Sequence, residues 1–279
     1  MSLLHRAYEI GVNEGIFELA SSVRGFVWRQ FRKRIHRGVF KDELNLECNG
    51  INVTFDTSNS SSKWWFYPRY LGGKLHEPAL TRELIDVLEP DSVFFDIGAN
   101  IGYFTLFASE MCVDGEVHSF DMHEKHIKAI DSNLNRNGTT AHLIKKAVSD
   151  ESYNSIHTNL TQNGCIVNAR NQFESIALDD YAKDHSLPSV MKIDVEGFEY
   201  NVLKGSVEIF QKDKPETLFI EVHPQKLQYH NHTVSEVISF LDHYGYNVRK
   251  FIDHRSDSVD VSELDADEVY ENTMLKCTK

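Results

Sequence analysis

Cysteine is scarce in this chain. Four cysteines occur among 279 residues, they are widely scattered, and no two of them form a Cys-x-x-Cys pair. A disulfide framework and a structural zinc site both depend on paired or closely spaced cysteines, so neither is expected. Long apolar runs are absent too, because stretches such as Val93-Phe94-Phe95 are far shorter than the roughly 20 residues of a membrane-spanning helix. No secretory signal pattern opens the sequence, and we therefore expect a cytoplasmic protein.

Positive charge is also in deficit. The 29 Lys and Arg residues are outnumbered by 42 Asp and Glu residues, which gives a formal net charge of −13. A broad nucleic-acid groove needs a basic surface, so we expect no nucleic-acid partner. Residues 24–41 are a basic exception at the end of an amphipathic helix predicted over 3–34. That basic end could contact an anionic membrane, but a helix packed on the core with a solvated basic face is the favoured interpretation.

Residues 44–78 carry strand and aromatic signals. Asn49-Gly50 lies between two alternating stretches and predicts a β-hairpin over 44–56. The aromatic run at 64–67 could line a sugar pocket or pack in the core, and the sequence leaves both interpretations open. We assign residues 1–78 to an N-terminal extension made of the helix, the hairpin and the aromatic segment. Residues 79–279 form the predicted main domain.

From residue 79 onward, helix and strand patterns alternate. Helices are predicted over 79–88, 103–112, 123–136, 178–183, 198–211 and 233–244. Strands are predicted over 93–97, 116–120, 141–148, 190–194, 217–222, 247–252 and 273–278. Such alternation predicts an α/β fold with a seven-stranded, mainly parallel sheet and helices on both faces. The last strand is expected to run antiparallel beside the fifth.

The first strand of this domain leads into a glycine-containing turn and a helix. Gly98 and Gly102 lie in this turn, without the G-x-G-x-x-G spacing of dinucleotide-binding turns. Glycine lets the backbone approach a ligand closely. A carboxylate at the strand end, Asp96, suits a ligand with an ammonium group better than a pyrophosphate. Asp121, at the end of the next strand, is placed to bind ribose hydroxyls, although it could instead cap the following helix.

Two later strands end in charged residues. Lys192, Asp194 and Glu196 alternate, so their side chains share one side of an extended chain. The next strand ends in Glu221 and His223. Ligands of open α/β sheets bind at such carboxyl ends, and buried charges are costly unless they are paired or used. These residues are therefore candidates for a second part of the same site.

Together these motifs resemble the FkbM family of methyltransferases. The matching segments are 73–78 (GKLHEP), 95–103 (FDIGANIGY), 147–150 (AVSD), 178–180 (LDD), 192–199 (KIDVEGFE), 203–205 (LKG) and 221–224 (EVHP). They span roughly residues 70–225, and the glycine-turn motif combined with K-I-D-V-E-G is the specific part. The resemblance implies a Rossmann-like class I methyltransferase fold and S-adenosylmethionine as methyl donor.

The resemblance also implies which residues bind the donor. The 96–102 turn would hold its methionine and sugar portions, Asp121 the ribose, and Ala147-Val148 the adenine side. The full set of donor-binding candidates is Glu77, Asp96, Gly98, Asn100, Gly102, Tyr103, Asp121, Met122, Ala147 and Val148. The family often has Glu-Pro where this chain has Asp121-Met122-His123, so the adenine side is expected to differ. Family members typically methylate hydroxyls on sugars or secondary-metabolite scaffolds.

Methyl transfer to oxygen requires an aligned acceptor and a group that removes or polarises its proton. Asp194 and His223 are the predicted base or acceptor-orienting groups. Glu196 and Glu221 are predicted to orient them or to bind acceptor hydroxyls, and Lys192 to tune or neutralise a neighbouring acid. A divalent cation held by these acids or by His223 is the less favoured interpretation, because ion pairing of the same groups is more common.

Two other functions stay open on the sequence alone. One is a nucleotide-sugar oxidoreductase or epimerase with a nicotinamide cofactor, against which the missing G-x-G-x-x-G counts. The other is a non-catalytic glycan- or lipid-carrier-binding protein on a methyltransferase fold, against which the intact acids of the motifs count. We expect a small-molecule or glycan acceptor with a sugar hydroxyl, including a lipid-linked glycan presented near residues 24–41. The acceptor's identity and the oligomeric state do not follow from the sequence.

Overall fold

The computed structural model describes residues 41–58, 62–156, 161–162, 165–166, 173–251, 253–259, 261–264, 269 and 271–279. The predicted helix over 3–34 lies outside the described residues, and so does the basic segment except for Lys41. The side chains of Trp64 and Trp65 are outside them as well. Within the described part of the chain, no helix is long and apolar enough to cross a membrane.

Strands and short helices follow one another along the chain. The strands are β1 (Glu43–Cys48), β2 (Ile51–Asp56), β3 (Val93–Ile97), β4 (Glu116–Phe120), β5 (His142–Ile144), β6 (Ala147–Val148), β7 (Tyr153–Ile156), β8 (Thr161–Gln162), β9 (Cys165–Ile166), β10 (Phe173–Ile176), β11 (Val190–Ile193), β12 (Thr217–Val222), β13 (Asn247–Phe251), β14 (Val261–Glu263) and β15 (Thr273–Thr278). The α-helices are α1 (Tyr67–Tyr70), α2 (Pro78–Val87), α3 (Tyr103–Met111), α4 (Glu124–Asn137), α5 (Leu178–Tyr181), α6 (Glu199–Lys204), α7 (Val207–Gln211), α8 (Pro224–Tyr229) and α9 (Val234–His243). A π-helical turn, Ser62–Phe66, precedes α1.

The central sheet has eight strands in the order β14-β13-β15-β12-β11-β3-β4-β5. The five strands β12, β11, β3, β4 and β5 are parallel to one another. β11 is buried at every position and β12 at all but its first, so both faces of the sheet are covered. Apolar residues that point to either face can then be buried, which explains why these strands read as continuous apolar runs.

The last strand lies where the sequence predicted it. β15 pairs antiparallel with β12 over its whole length and antiparallel with β13 on its other side. Met274, Leu275 and Cys277 of this strand are fully buried. β15 is the strand that was predicted as the seventh, and it lies between the parallel strands and β13.

The structure differs from the predicted elements in three places. β14 is an eighth strand that pairs with the edge strand β13, and its three residues are too few to show a strand pattern. The strand predicted over 141–148 ends at Ile144, because Ala147-Val148 pairs in a separate small sheet with β10. The helix predicted over 198–211 is broken between α6 and α7. Gly205 lies at this break, where a Cβ would be 2.1 Å from the Ser149 carbonyl oxygen.

The predicted hairpin forms between β1 and β2. Asn49 and Gly50 make its turn, with φ values of 50° and 85°. The hairpin is tied to α4, because Thr54 N–H donates to Asn137 Oδ1 at 2.8 Å and Asn137 Nδ2 donates back to the Thr54 carbonyl at 2.8 Å. Residues Glu43–Lys279 form one compact unit. The boundary at residue 78 between an extension and the main domain stays a prediction.

Two members of the aromatic run are described in full. Phe66 is 1% exposed and Tyr67 is 4% exposed. The Phe66 ring packs against Phe55 and Tyr70, with ring centroids 4.7 and 4.6 Å away. Phe66 also lines the cavity described below. Phe66 therefore packs in the core and also borders the cavity, and its contact with a sugar stays a prediction.

Candidate active site

A cavity of about 260 Å³ lies at the carboxyl ends of β3, β4 and β11. The strand order reverses between β3 and β11, which is the place where open α/β sheets bind ligands. Many of the residues predicted for the site line this cavity: Gly98, Asn100, Tyr103, Asp121, Met122, Ala147, Val148, Lys192, Asp194 and Glu196. The others do not line it: Glu77, Asp96, Gly102, Glu221 and His223.

Hydrogen bonds within the protein hold the turn after β3. The N–H groups of Gly98 and Ala99 both donate to the Phe120 carbonyl at 3.0 Å. The Asn100 N–H donates to Asp121 Oδ2 at 3.0 Å. Three consecutive amides are thus directed at protein acceptors, so residues 98–100 do not present their N–H groups to a ligand as a phosphate-binding turn does.

The two glycines of the turn are required by close protein neighbours. Gly98 has φ of 81°, and a Cβ there would lie 1.9 Å from the Asp194 carbonyl oxygen. Gly102 has φ of 82°, and its Cβ would lie 2.9 Å from Ile130 Cγ1. We predicted these glycines for the approach of a ligand. The structure shows that they bring β3, the loop after β11 and α4 together. Gly98 also lines the cavity, and the approach of a ligand to this turn stays a prediction.

Asp121 forms hydrogen bonds at the start of α4 and also lines the cavity. Its Oδ1 accepts from the His123 N–H at 2.8 Å, directly before α4. Its Oδ2 accepts from Asn100 and lies 2.9 Å from His126 Nδ1. The carboxylate therefore organises the start of the helix and also lines the cavity. Ribose binding stays a prediction, and the carboxylate retains further acceptor capacity for it.

Asp96 is fully buried behind the cavity wall. Its Oδ2 accepts from the Thr105 N–H at 3.1 Å and from the Thr105 hydroxyl at 2.7 Å. Its Oδ1 lies 3.7 Å from Lys192 Nζ. Burial raises the pKa of Asp96, and Lys192 and Thr105 oppose that rise. Protein groups surround Asp96, so its carboxylate is not exposed to the ammonium group of a ligand in the cavity.

Lys192 is the buried cation between the two halves of the site. Its ammonium lies 3.5 Å from Asp194 Oδ2 and 3.5 Å from the Gly98 carbonyl, and 5.3 Å from the centre of the Phe104 ring. Burial alone would lower its pKa, but the negative charges of Asp194 and Asp96 outweigh burial and raise it. The raised pKa favours the charged form, which lies between Asp96 and Asp194. Whether Lys192 tunes an acceptor or only neutralises Asp194 stays a prediction.

Asp194, Glu196 and His223 meet at the mouth of the cavity. His223 Nε2 lies 3.5 Å from Glu196 Oε2 and 3.9 Å from Asp194 Oδ1, and its Nδ1 is hydrogen-bonded to Glu199 Oε1 at 2.8 Å. Burial opposes protonation of the ring, but the bond to Glu199 and the surrounding negative charge raise the pKa of His223 to about 9. His223 is therefore an imidazolium at neutral pH.

The loop that carries Glu196 has an unusual backbone. Glu196 has φ of 57° and Gly197 has φ of 110°. The Glu196 carboxylate forms an ion pair with Lys226 at the start of α8, and the Gly197 N–H donates to Glu199 Oε1 at 2.8 Å. A left-handed, non-glycine residue costs energy and persists where the surroundings hold it, which is common at functional sites.

Behind this cluster lies a second acid pair, Glu221 and Glu77. Burial, followed by the charge of Asp194, raises the pKa of Glu221 to about 7. Burial acts in the same direction on Glu77, but the imidazoles of His254 and His76 outweigh it and lower the pKa of Glu77 to about 2. His254 Nε2 lies 3.7 Å from Glu77 and 3.9 Å from Glu221, which joins the two acids.

Comparison with known protein families agrees with this geometry. The methyltransferase FkbM domain matches residues 96–248, which include the glycine turn, Asp121, the Asp194 loop and His223. This chain belongs to the FkbM methyltransferase family. The predicted enzyme class, a methyltransferase, is thereby confirmed.

Two relatives of this FkbM methyltransferase are informative. A hexuronic acid methyltransferase, AglP, from Haloferax volcanii is 24% identical over 197 residues, which cover 67% of this chain and 77% of the relative. The crystal structure of an FkbM methyltransferase from Methylobacillus flagellatus matches with a TM-score of 0.50 and 15% identity. That match covers 75% of this chain, which spans 50% of the other. The predicted Rossmann-like class I fold is confirmed, with eight strands in the sheet rather than seven.

One group of side chains in this FkbM site has the donors that a divalent cation needs. Asp194, Glu196 and His223 each offer one atom, and these atoms lie within 4.8 Å of one another. Asp194 Oδ1 is buried and accepts no hydrogen bond, so the donor set fits a hard cation in part. The ion pair of Glu196 with Lys226 and the protonated His223 compete for the same positions. Cation binding here stays the less favoured prediction.

Several residues of the site were not predicted. Glu199 is fully buried and orients His223, yet we did not assign it a role although it belongs to the K-I-D-V-E-G-F-E motif. His254 and His76 border Glu77 through contacts that the sequence does not reveal, since His254 is far from it along the chain. Lys226 could have been found, because it follows the Glu221–Pro224 segment by two residues.

Proposed function

We propose that this chain is an S-adenosylmethionine-dependent O-methyltransferase that acts on a sugar hydroxyl. One observation carries the proposal: a single cavity joins the Gly98–Asn100 turn and Asp121 to the carboxylates of Asp194 and Glu196. A methyl donor and an acceptor must be adjacent for an in-line transfer, and this cavity brings a donor-type turn and a proton-accepting group to one place.

The donor half of the cavity suits a nucleoside with a cationic group. Asp121 would accept hydrogen bonds from the ribose, Met122 and Ala147-Val148 would flank the adenine, and the turn would hold the methionine portion. Asp121 and Asp194 line this cavity with carboxylates, and the buried Asp96 adds negative charge behind them, which favours a sulfonium and an ammonium. A nicotinamide dinucleotide would instead require free amides for its pyrophosphate, and those of residues 98–100 are engaged.

The acceptor half is rich in carboxylates, which favours a neutral hydroxyl. Asp194, Glu196 and Glu221 are the acids of this half, and Asp194 lines the cavity with its side chain 28% exposed. A carboxylate acceptor would be repelled there, whereas hydroxyls donate hydrogen bonds to such groups. The relative from Haloferax volcanii is named for hexuronic acid, which supports a sugar and offers both hydroxyl and carboxyl oxygens.

In the proposed reaction, Asp194 takes the proton of the acceptor hydroxyl. S-adenosylmethionine supplies the methyl group, so that an O–CH₃ bond forms as the S–CH₃ bond breaks and S-adenosylhomocysteine leaves. His223 is already protonated and stays so, and its Nε2 lies 3.9 Å from Asp194 Oδ1 and 3.5 Å from Glu196 Oε2. Glu199 fixes the ring of His223, and Glu196, which lines the cavity, would bind a further hydroxyl of the sugar. Glu221 does not line the cavity and would act from behind Asp194.

Calorimetric titration of the purified protein tests the donor. We expect micromolar binding of S-adenosylmethionine and of S-adenosylhomocysteine, and no binding of NAD or NADP. Preference for a nicotinamide cofactor would favour the oxidoreductase alternative. Failure to bind any of these ligands, with retained affinity for a glycan, would favour the non-catalytic alternative.

The oxygen that is methylated can be determined with a matched pair of acceptors. A hexuronic acid glycoside and the corresponding neutral hexose glycoside are incubated with labelled donor, and the products are treated with mild alkali. A methyl ether survives this treatment and a methyl ester does not. We expect an alkali-stable product from both sugars. An alkali-labile product from the uronic acid alone would refute a hydroxyl acceptor.

A lipid-linked acceptor and peripheral membrane contact through residues 24–41 are a separate part of the proposal. Its support is the basic charge of that segment, because basic side chains are attracted to a membrane surface that contains anionic lipid. Co-sedimentation with vesicles that contain anionic lipid, compared with neutral vesicles, tests it. Equal recovery in the supernatant with both lipids would remove the membrane contact and leave the sugar acceptor untouched.

A further inference from the structure

A second cluster of metal-ligating side chains lies at the opposite edge of the sheet. Glu116 begins β4 and His142 begins β5, whereas the carboxyl ends of the parallel strands border the cavity. Glu116, His118 and His142 each offer one donor atom, and these atoms lie within 4.8 Å of one another. None of these three residues lines the cavity of the candidate active site, which begins at Phe120 at the other end of β4.

The rings and carboxylate of this cluster are already in contact. His118 Nε2 lies 2.9 Å from Glu116 Oε2, and the rings of His118 and His142 are stacked with centroids 4.4 Å apart. A third imidazole, His185, lies 5.7 Å from the His118 ring and 6.2 Å from the His142 ring, measured between centroids. Three histidines and one carboxylate thus converge from β4, β5 and the loop after α5.

The side-chain atoms of this cluster that face away from the proposed ion form hydrogen bonds, as they usually do around bound metals. His118 Nδ1 is hydrogen-bonded to the Tyr181 hydroxyl at 2.8 Å, and Ser186 Oγ donates to Glu116 Oε1 at 2.8 Å. His185 Nδ1 lies 2.8 Å from the Tyr181 carbonyl, to which it donates. Such bonds fix the orientation of both rings through Nδ1, and Nε2 of His118 then faces the Glu116 carboxylate within the cluster. A hydrogen bond on the other ring nitrogen is the usual arrangement of metal-ligating histidines.

We propose that Glu116, His118 and His142 form a binding site for a borderline transition-metal ion such as Zn²⁺, with His185 as a fourth ligand. Imidazole nitrogens with one carboxylate are a donor set for Zn²⁺, Ni²⁺, Co²⁺ and Cu²⁺ rather than for Mg²⁺ or Ca²⁺. On binding, the proton of His118 Nε2 is displaced to Nδ1, which then donates it to the Tyr181 hydroxyl.

The position of this site indicates a structural role. β5 is a three-residue strand at the edge of the sheet, and only β4 pairs with it within the central sheet. An ion shared by Glu116, His142 and His185 would link this edge strand to β4 and to the loop after α5. His142 is exposed and Glu116 has a side chain 40% exposed, so both can close around an ion that enters from solvent.

Calorimetry with Zn²⁺ on the untagged, chelator-treated chain tests the site, with Co²⁺ absorption as a report on nitrogen ligands. We expect one ion per chain, and at least roughly tenfold weaker binding in His142→Ala. Glu116→Gln, which keeps the side-chain volume, should weaken binding as well. His243→Ala removes an exposed imidazole at the end of α9 and is the matched control, in which the affinity should be unchanged.

Two results would overturn the proposal. Equal Zn²⁺ affinity in the wild type, His142→Ala and Glu116→Gln would show that the ion does not bind there. Loss of binding in Asp194→Asn, with binding retained in His142→Ala, would assign the ion to the candidate active site instead. Thermal unfolding gives a second measurement: Zn²⁺ should raise the melting temperature of the wild type and of His243→Ala, but not that of His142→Ala.

Discussion

His223 illustrates how one buried neighbour changes what a side chain can do. An isolated imidazole beside an acceptor would be a natural general base, and we predicted that role jointly for His223 and Asp194. Glu199 contacts its Nδ1, and the pKa of His223 rises to about 9. At neutral pH the ring already carries its second proton, so Asp194 is left as the proposed group that accepts the proton of the sugar.

Replacement of Asp194 by Asn removes the proposed base without a change in side-chain size. We expect kcat to fall by roughly 10²–10⁴-fold, because that is the usual contribution of a positioned base. Affinity for S-adenosylmethionine should change only a few-fold, as measured by calorimetry. Asp213→Asn is a suitable control, since Asp213 is exposed and its φ of 57° is one that Asn tolerates. Unchanged turnover in Asp194→Asn would refute its role.

The low pKa of Glu77 predicts that the free energy of unfolding depends on pH in the acid range. Its pKa is about 2 in the folded protein, below its usual value of 4.5, so the unfolded chain takes up a proton first as the pH falls. Stability is therefore fully present above about pH 4.5 and is lost progressively as the pH falls toward 2. The loss for this group is at most about 3 kcal/mol.

Urea unfolding as a function of pH measures this contribution. Glu77→Gln should be less stable than the wild type at pH 7, and the difference should shrink as the pH is lowered through the window from about 4.5 to 2. A constant difference between the two proteins across that window would mean that the ionised carboxylate of Glu77 contributes no stability.

At the scale of elements, the junction between β3 and the loop after β11 determines the shape of the site. Gly98 is the point of closest approach, because a Cβ there would overlap the Asp194 carbonyl oxygen at 1.9 Å. The Asp194 N–H also donates to the Ile97 carbonyl at 3.0 Å. The donor turn and the proposed base are thus fixed to each other by backbone contacts, independently of their side chains.

Gly98→Ala and Gly138→Ala form a matched pair that separates crowding from backbone strain. Both glycines have left-handed φ values, but a Cβ at Gly138 meets nothing within 4 Å. We expect Gly138→Ala to lower the free energy of unfolding by roughly 1 kcal/mol. Gly98→Ala should lower it by a further 1–3 kcal/mol, about the cost of overpacking, and should abolish donor binding. Similar stability of the two variants, measured by urea unfolding, would contradict the close contact.

The elements that the sequence predicted well are those with a strong local pattern. β3 and β12 have the predicted bounds because each is a largely apolar run that ends in a charged or glycine-containing turn. β4 also has the predicted bounds, although its sequence, EVHSF, is not an apolar run. The break between α6 and α7 was missed, because it depends on the approach of Ser149 to Gly205 in space. The burial of Asp96 was missed for the same kind of reason, since Thr105 and Lys192 enclose it from two other elements.

For the whole molecule, the relevant property is its excess of negative charge. The formal net charge of −13 is accompanied by local ion pairs, such as Lys204 with Asp150 at 2.9 Å. Like charges spread over a compact surface repel one another, and unfolding relieves that repulsion. Exposed ion pairs contribute little individually. Net repulsion should therefore dominate the response of this protein to salt.

Thermal unfolding at low ionic strength and in about 1 M sodium chloride tests this balance. The Debye length is about 3 Å at that concentration, so repulsion between surface charges is largely screened. We expect the melting temperature to rise by a few degrees, and potassium chloride to act in the same way. A fall in the melting temperature would show that attraction within ion pairs outweighs the repulsion of the excess acids.

The position of Lys192 has a consequence for the order in which ligands bind and leave. Its ammonium lies 3.5 Å from the Gly98 carbonyl on one side and 3.5 Å from Asp194 on the other, so it borders both halves of the cavity. A cation bound at the turn changes the field at Lys192, and this changes the field at the acceptor. By linkage, each ligand then alters the affinity of the other by the same factor. Loss of positive charge from the sulfur on methyl transfer would reset this coupling, so that the site distinguishes reactants from products by charge as well as by shape.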